Sequence, residues 1–512
     1  MPPRRSLLMR PGHLMLLGLL GLSGCVRVGP DFQSPAEAWI KHWDTPALAH
    51  ASQRALTPDL RQWWSVFNDP VLDRLIAEAD AHNSDLKIAG LRVVEARAQL
   101  GIAQSTLYPQ LQQASADSLY VNRRQSGGNN PQDSHFWQYS AGFDIGWELD
   151  FWGRFSRAIE SSDASYFAAQ ANYEDVLVLL RAQVADSYFS LRTSEARLRV
   201  ARENAKQQLR NVDITEKLFK SGQSAELDLQ QAKTQYLGTL STLPTLEDQI
   251  QRTRNALSVL IGQPPGALPQ LAENPGLIPL VDRAVLQDIP ANLLLRRPDV
   301  RAAELNVAAQ SALIGVAESD FYPSLTLLGS IVWSADTLKG TSRSLDLIGG
   351  PSLSWNVFDY GRISNNVRVQ DARLQQLIEA YRDKVRQAAR EADDAAYGVI
   401  KSLEGEQILA QAEVTAKRSL VLASVQYREG YSDFQRVLDA QRALLEQQDN
   451  YLVARSNAVS NLIALYKSLG GGWYSAQPII DPATRQQMEQ RTDWGDLLHE
   501  AGSPLPDKVK QP

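Results

Sequence analysis

The sequence has few of the residues and motifs on which catalysis or covalent cross-linking depends. Its 512 residues include one cysteine, Cys25, so an internal disulfide is excluded. It contains no P-loop, GxSxG or HExxH motif, and its six histidines show no metal-ligand spacing. An enzymatic activity, a bound cofactor and a metal centre are therefore not expected. The histidines are His13, His42, His50, His82, His135 and His499.

An excess of positive charge is also lacking. The formal net charge is −6 at pH 7, although Arg4, Arg5 and Arg10 cluster at the N-terminus. Removal of residues 1–24 would take away these three arginines, so the net charge of the remaining chain would be more negative than −6. This balance disfavours a nucleic acid as a partner.

The apolar run near the N-terminus is too short to cross a membrane as a helix. It covers Leu14–Leu22 and follows the three arginines, so residues 1–24 are interpreted as a secretory signal. The next residues, Leu22-Ser23-Gly24-Cys25, resemble the lipobox of bacterial lipoproteins, in which the cysteine becomes the acylated first residue. Acyl chains on Cys25 would anchor the N-terminus in a membrane. In the lipoprotein pattern that this segment resembles, Val26 in place of aspartate implies the outer membrane.

Two segments 208 residues apart share one pattern, which indicates an internal duplication. Each has a tryptophan, then an apolar residue, an aromatic residue and a Gly-Arg pair. We interpret both segments as junctions between a strand and a long helix. The junction residues are Trp147, Gly153 and Arg154 in the first copy, and Trp355, Gly361 and Arg362 in the second.

Regular alternation of apolar and polar residues precedes each junction and predicts hairpins at about 110–150 and 324–358. Gly127 to Pro131 supply the first turn. A soluble half-buried sheet is one interpretation. Strands long enough to cross a bilayer, with aromatic ends and a secretory signal, favour membrane strands whose apolar side chains face lipid. The alternating residues are His135, Trp137, Tyr139, Ala141, Phe143, Ile145, Trp147 and Leu149, and Leu345, Leu347, Gly349, Pro351, Leu353, Trp355 and Val357.

Glycine and proline are absent from Phe155 to Lys220, which predicts one uninterrupted helix of roughly 100 Å. The second copy, from Ile363 to Glu429, has no proline and two glycines. Each helix ends at a glycine suited to a left-handed C-cap, Gly222 or Gly430. Ser224 and Ser432 are expected to cap the next helices, so each copy forms a tight helical hairpin.

The second returning helix carries two adjacent apolar residues in every heptad, starting with Val437 and Leu438. A single coiled-coil seam needs one such stripe, whereas two stripes about 100° apart let a helix touch neighbours on both sides. The helix is therefore expected to be a stave of a helical barrel. A helix buried in a compact bundle is the alternative.

Two hairpins give four membrane strands per chain, and an open four-stranded sheet would leave unpaired edges in lipid. Eight strands close an interior filled by side chains, so a water-filled lumen requires more. If the protein is a channel, it is expected to be at least trimeric.

In these features the chain resembles the TolC-like outer membrane factors, most closely the lipoprotein efflux branch of RND-type tripartite systems. The resemblance covers nearly all of the chain after the signal. It rests on the junctions, on the hairpin glycines and on several short motifs in the expected order. The motifs are Gly29-Pro30-Asp31, Trp64 through Pro70, Asn83 through Leu86 and Arg296 through Arg301.

The resemblance implies an α+β membrane protein built as a homotrimer. A twelve-stranded outer-membrane β-barrel, with four strands from each chain, would be continuous with a long periplasmic α-helical barrel. The trimer would passively conduct drugs or other small molecules that it receives from an inner-membrane pump and a periplasmic adaptor. The helical tips would contact the adaptor; their residues are Gly222, Ser224, Gly430 and Ser432. Alternatives are a structural or adhesive coiled-coil lipoprotein of the envelope, and the outer-membrane component of a metal or protein exporter.

This organisation divides the chain into a signal peptide, a lipid-anchored equatorial strap, two repeats joined by a connector rich in proline and glycine, and a polar equatorial tail expected to be only partly ordered. The corresponding ranges are 1–24, 25–69, 70–262, 263–292, 293–472 and 473–512.

Two further expectations concern the tunnel. Some TolC-like proteins narrow the entrance with acidic rings just after the second tip, and Asp439 matches one such position. Arg436 occupies the other, which weakens the double-ring interpretation, and Asp439 is equally compatible with an ordinary solvated helix charge. Met488 is the only methionine after the signal, which favours organic substrates over a copper relay.

Overall fold

The computed structural model describes residues 27–35, 60–123, 134–266, 268–273, 277–281, 296–336, 343–475 and 477–500. The predicted signal peptide, Cys25, the predicted turn at 127–131 and much of the predicted connector lie outside these residues. Within them, no helix is both long and apolar enough to cross a membrane.

The described chain is mostly helical, with one antiparallel sheet. Short 3₁₀ helices occupy Leu60–Phe67 and Pro269–Glu273. The strands are β1 Leu111–Arg123, β2 Ser134–Glu148, β3 Ser324–Ala335 and β4 Arg343–Ser354. The helices are α1 Pro70–His82, α2 Ser84–Ser105, α3 Arg154–Lys220, α4 Glu226–Leu260, α5 Pro298–Ser319, α6 Arg362–Arg428, α7 Phe434–Ser468, α8 Pro482–Arg491 and α9 Leu497–Glu500.

The two copies of the repeat have the same helix lengths. Both α3 and α6 span 67 residues, and both α4 and α7 span 35. Helices α2 and α5, which precede the hairpins, each have 22 residues. The predicted uninterrupted helices are thus present in both copies, and each long helix is about 100 Å long.

The chain divides into two compact units. The sheet unit contains Met1–Pro35, Glu95–Ala168 and Glu304–Ala380, and the helical unit contains Ala36–Val94, Ala169–Ala303 and Tyr381–Pro512.

In the sheet unit, the strands follow the order β1-β2-β3-β4, so β1 and β4 form the two edges. Cross-strand partners share a face. One face is apolar and exposed or half-buried in the single chain; the other is mainly polar. The apolar face contains Tyr120, Trp137, Tyr139, Phe143, Ile145, Trp147, Leu327, Ile331, Trp333, Leu345, Leu347 and Leu353, and the polar face contains Ser115, Asp117, Gln138, Ser140, Asp144, Glu148, Thr326, Ser330, Ser334, Ser344, Asp346 and Ser352.

In the helical unit, two buried arginines of α3 hold segments that are not repeated. Arg181 donates to the carbonyl oxygens of Gly472 and Tyr474 at 2.6 and 2.7 Å. Arg192 donates to the carbonyl oxygen of Leu271, in the connector, at 3.0 Å. The residues 208 positions later are alanine and isoleucine, so the first copy alone provides these anchors.

Part of the C-terminal tail is held by a small buried cluster. Helix α8 begins at an aspartate N-cap, Asp481, whose carboxylate accepts a hydrogen bond from the Thr484 amide. Ile480, Met488 and Leu498 are buried with Val94 of α2. A few apolar side chains therefore attach residues 477–500, whereas the rest of the tail, from residue 501 on, lies outside the described residues, and the expectation of partial order stays a prediction.

Candidate functional site

A few residues before each long helix lies an aspartate whose carboxylate binds amides of the first helical turn, a role that the repeat pattern did not reveal. The Asp150 carboxylate accepts hydrogen bonds from the amides of Phe155 and Ser156 at 2.9 and 2.8 Å. Asp359 accepts from the amides of Gly361 and Ile363, and these bonds hold its pKa below the usual range. The two aspartates are 209 residues apart, one more than the repeat, which concealed their common role.

The junction tryptophans make equivalent hydrogen bonds in the two copies. The Trp147 indole donates to the carbonyl oxygen of Leu107 at 3.1 Å, just beyond the end of α2. The Trp355 indole donates to the carbonyl oxygen of Phe321 at 2.9 Å, just beyond the end of α5. Each indole therefore ties the last strand of a hairpin to the helix that leads into that hairpin.

The junction glycines have positive φ angles, +77° at Gly153 and +86° at Gly361. A Cβ atom at Gly153 would lie 2.9 Å from Arg27, so the first junction is also closely packed. Arg154 lies 3.8 Å from the Glu148 carboxylate and 3.6 Å from that of Asp320. Arg362, its counterpart, is exposed.

The Gly29-Pro30-Asp31 motif packs beside the first junction. The Arg157 side chain, with 1% of its surface exposed, donates to the carbonyl oxygens of Val28 and Gly29 at 3.1 Å. It also bonds the carboxylates of Asp31 and Glu160 at 2.8 Å. The motif is visible in the sequence, but its partner Arg157 is not, because the second repeat has asparagine at the equivalent position, 208 residues after Arg157.

Both hairpin tips contain the predicted glycine cap. Gly222 and Gly430 have φ angles of +76° and +74°. The amides of Gln223 and Tyr431, one residue further on, each bond back to a helix carbonyl at 2.8 Å. Among the described residues, no atom beyond the adjoining backbone lies within 4 Å of the Cβ position of either glycine, so backbone conformation rather than space selects glycine.

The expectation that Ser224 and Ser432 cap the returning helices is wrong. Helix α4 begins after Ala225, without a side-chain cap, and the Ser224 hydroxyl instead donates to the Asp228 carboxylate at 2.7 Å. Helix α7 begins after Asp433, whose carboxylate accepts from the Arg436 amide. Each serine lies one position before the N-cap, so its hydroxyl is not the group that reaches the first-turn amides.

Apolar side chains join the two hairpins close to their tips. Val437 and Leu438, the adjacent pair singled out in the sequence, are both buried there. The buried partners come from α3 and α4, and α6 adds partly buried residues such as Leu420 and Tyr427, so all four helices of the hairpins contribute to one cluster. The buried members are Val212, Leu229, Ala232, Phe434, Val437 and Leu438.

Asp439 lies on the exposed side of α7. Its carboxylate accepts a hydrogen bond from Gln435 at 3.1 Å and lies 3.3 Å from the Arg442 guanidinium. Arg442 in turn donates to Gln235 of α4 at 3.0 Å. In a single chain Asp439 therefore has partners on its own helix and is accessible to solvent.

Two half-buried carboxyl groups of α3 have raised pKa values. Burial raises the pKa of Glu174 to about 7, and the charge of Arg301 offsets only part of this effect. Burial, followed by the charge of Asp299, raises the pKa of Asp175 to about 6. The two groups are therefore partly protonated near neutral pH.

Replacing Glu174 by glutamine should make stability less dependent on pH. The folded-state pKa of about 7 exceeds the ordinary 4.5, so protonation stabilises the fold fully below pH 4.5, and this stabilisation is lost as the pH rises to about 7. Above that pH the variant should be more stable by roughly 1–3 kcal/mol. Chemical denaturation across this range measures the effect. Glu203→Gln, an exposed position on the same helix, is the control and should change nothing.

The described residues contain no group of three or more histidine, cysteine, aspartate or glutamate side chains that could hold a metal ion. The positions singled out in the sequence lie at two strand-to-helix junctions in the sheet unit and at two helical tips in the helical unit.

The family model described as outer membrane efflux protein matches residues 75–263 and 289–471. These two ranges make up well over half of the chain. The chain therefore belongs to the outer membrane efflux protein family.

Curated relatives cover nearly the whole chain. The chain is 31% identical to the probable outer membrane lipoprotein SilC of Salmonella typhimurium, over 88% of this chain and 96% of the relative. It is also 31% identical to the cation efflux system protein CusC of Escherichia coli K12, over 88% and 97%. The pyoverdine export outer membrane protein OpmQ of Pseudomonas aeruginosa is 31% identical over 89% and 96%.

Solved structures have the same fold. The outer-membrane channel OprN matches with a TM-score of 0.79 and 32% identity, over 87% of this chain and 99% of that chain. The MtrE outer membrane channel of Neisseria gonorrhoeae matches with a TM-score of 0.75 and 25% identity, over 87% and 98%.

The protein is thus an outer-membrane efflux channel and not an enzyme. The predictions of family, location and transport function are confirmed. The alternative of a structural or adhesive lipoprotein does not fit this membership.

Proposed function

We propose that three copies of the chain close a twelve-stranded β-barrel in the outer membrane and a helical tunnel in the periplasm. This conduit receives small molecules from an inner-membrane pump and a periplasmic adaptor. The observation that carries the proposal is the open four-stranded sheet, whose apolar face is exposed and whose two edge strands have no further strand beside them in the part of the chain that the structure describes.

The strand count supports ring closure. Neighbouring strands in the sheet are all antiparallel, so β1 and β4 run in opposite directions. Copies arranged in a ring can therefore join β4 to the next β1 as another antiparallel pair. Closure supplies the missing backbone hydrogen bonds, which lipid cannot provide.

The helices also carry apolar side chains that are exposed in the single chain. Such exposed faces are typical of surfaces that partner subunits bury. They support a helical barrel of several chains rather than a compact bundle of one. Examples on the long and returning helices are Ile214, Leu227, Leu237, Ile408, Val414 and Val421.

Native mass spectrometry of the protein extracted from outer membranes tests the assembly. We expect a homotrimer that retains its lipid anchor, and peptide mass mapping should place the acyl chains on Cys25. A monomer or dimer in mild detergent, with cross-linking of intact membranes giving the same result, would contradict the trimer.

For the cargo, we propose organic small molecules. Met488, the one methionine after the signal, is buried among apolar residues of the tail and cannot relay metal ions along a tunnel. Deletion of the gene should increase susceptibility to drugs and solvents. Increased sensitivity to copper or silver alone would instead assign the channel to a metal exporter.

The helical tips are proposed to contact the adaptor, and Gly430→Leu tests this role. Leucine strains the left-handed backbone at φ +74°, while the space around it is open, so the tip should distort without loss of the trimer. We expect efflux and adaptor co-purification to fall sharply at normal protein levels. Gly405→Leu is the matched control, because that glycine is helical and equally open. Normal efflux by Gly430→Leu would contradict the proposal.

Asp439 is proposed to narrow the tunnel entrance. Neutralising it in Asp439→Asn should increase single-channel conductance in planar bilayers. Arg442→Gln is the control, since it breaks the same ion pair but keeps the carboxylate. Equal effects of the two variants would show that Asp439 is only a partner of Arg442.

A further inference from the structure

The two hairpins of the sheet are equivalent in their internal pairing. Ser115 of β1 lies opposite Gly142 of β2, and Leu328 of β3 lies opposite Gly350 of β4. Gly142 and Gly350 are 208 residues apart, the spacing of the repeat. Ser115 and Leu328 therefore occupy the same place in the two hairpins.

Within one chain the first hairpin contacts the second through β2 and β3. Just beyond these strands, the Trp152 ring stacks on Tyr322 at 4.5 Å, with 22° between the planes. The Trp152 indole also donates to the carbonyl oxygen of Pro323 at 2.9 Å. This contact joins the end of the first hairpin to the start of the second.

Two tyrosines occupy the equivalent positions at the outer ends of the hairpins, one after the second hairpin and one before the first, and both are exposed in the single chain. Tyr360 stands 208 residues after Trp152. Tyr108-Pro109 stands 214 residues before Tyr322-Pro323, one more than the 213 between Ser115 and Leu328, because Gln110 adds one residue between Pro109 and β1. Tyr360 is fully exposed, at 102%, and Tyr108 is 71% exposed. They follow β4 and precede β1, which are opposite edges of the sheet, so they cannot meet within one chain.

We propose that Tyr360 and Tyr108 form a contact between subunits, with a second copy of the chain as the partner. Tyr360 stacks on Tyr108 of the partner subunit, and β4 pairs with β1 of the partner subunit in the register that β2 and β3 use. The proposal rests on the ring of three chains proposed above and specifies how its strands join.

The register between subunits follows from the strand pairing within one chain. Gly146 lies opposite Leu328 in the chain. The counterpart of Gly146 is Ser354, 208 residues later, and the counterpart of Leu328 is Ser115. Ser354 therefore lies opposite Ser115 of the partner subunit.

The faces of the sheet agree with this register independently. Ser354 and Ser115 both belong to the polar face, and the next pair, Leu353 with Ala116 of the partner subunit, belongs to the apolar face. A slip of one residue would join the apolar face of one subunit to the polar face of the next. The nearest competing registers are therefore two residues away, which a cross-linking experiment can resolve.

Disulfide cross-linking in outer membranes tests the register. The full-length Ser115→Cys/Ser354→Cys variant should form covalently linked subunits with a several-fold higher yield than Ser115→Cys/Ser352→Cys, because directly opposite Cβ atoms are closer than diagonal ones. The wild-type chain, which has Cys25 alone, measures the background. Equal or reversed yields would overturn the register.

Native mass spectrometry of the same variants under reducing conditions separates the two proposals. A trimer without the expected cross-link contradicts the register and leaves the channel assembly intact. A monomer contradicts the assembly itself.

The aromatic contact has its own test. Tyr360→Ala and Tyr108→Ala should each lower the temperature at which the trimer dissociates, and the double variant should lose no more than the more damaging single variant. Tyr431→Ala, at an equally open tip position, should not lower it. Additive losses would show that the two tyrosines do not meet.

Discussion

Arginine in place of Leu347 is expected to prevent stable insertion of the protein into the outer membrane. Leu347 lies on the apolar face near the middle of β4 and is 71% exposed. If this face contacts lipid, a charge there costs about 2–4 kcal/mol in each chain. The cost is repeated in every subunit of the ring, so little assembled protein should reach the membrane.

The adjacent residue provides a matched control. Ile348 is also apolar and also 71% exposed, but its side chain belongs to the polar face. Ile348→Arg should insert normally, because the charge would point into an aqueous lumen. Fractionation of outer membranes and heat-modified gel mobility measure both variants. Equal damage from the two would contradict a lipid-facing apolar surface.

Replacing Arg157 by methionine is expected to release the N-terminal segment from the first junction. The change leaves the carbonyl oxygens of Val28 and Gly29 without their donor and deprives Asp31 and Glu160 of their ion pair. Loss of a buried hydrogen-bonded charge typically costs about 3–5 kcal/mol, and the exposure of Asp31 places this case near the lower end.

Limited proteolysis around residues 27–35, with thermal unfolding of the trimer, measures the effect of Arg157→Met. Arg154→Met is the control, since Arg154 is half-exposed and its carboxylates lie 3.6–3.8 Å away. The control should lose less than about 1 kcal/mol. If both variants resist proteolysis equally, the strap is held by its other contacts, such as the bond from the Val28 amide to the Trp152 carbonyl.

The regular elements could be predicted from sequence because their signals are local. Absence of glycine and proline marks the long helices, alternation marks the strands, and Gly222 and Gly430 mark the tips. The missed residues depend on tertiary contacts. Arg157 and Arg181 look like ordinary helix charges until the segments they hold are seen.

Small shifts of register explain the remaining errors. Ser224 and Ser432 are one position from the true N-caps, a difference that cap-forming residue types alone cannot resolve when several occur together. The shared role of Asp150 and Asp359 was missed for a similar reason, since their spacing exceeds the repeat by one residue within otherwise matched segments.

The equal lengths of the paired helices restrict how this chain can evolve. A deletion of one helical turn in a single copy would shorten that hairpin by about 5.4 Å and separate Val212 from Phe434, which are buried together near the tips. A tolerated change in length must therefore occur in both copies at once. Each repeat therefore restricts the helix lengths that are permitted in the other repeat.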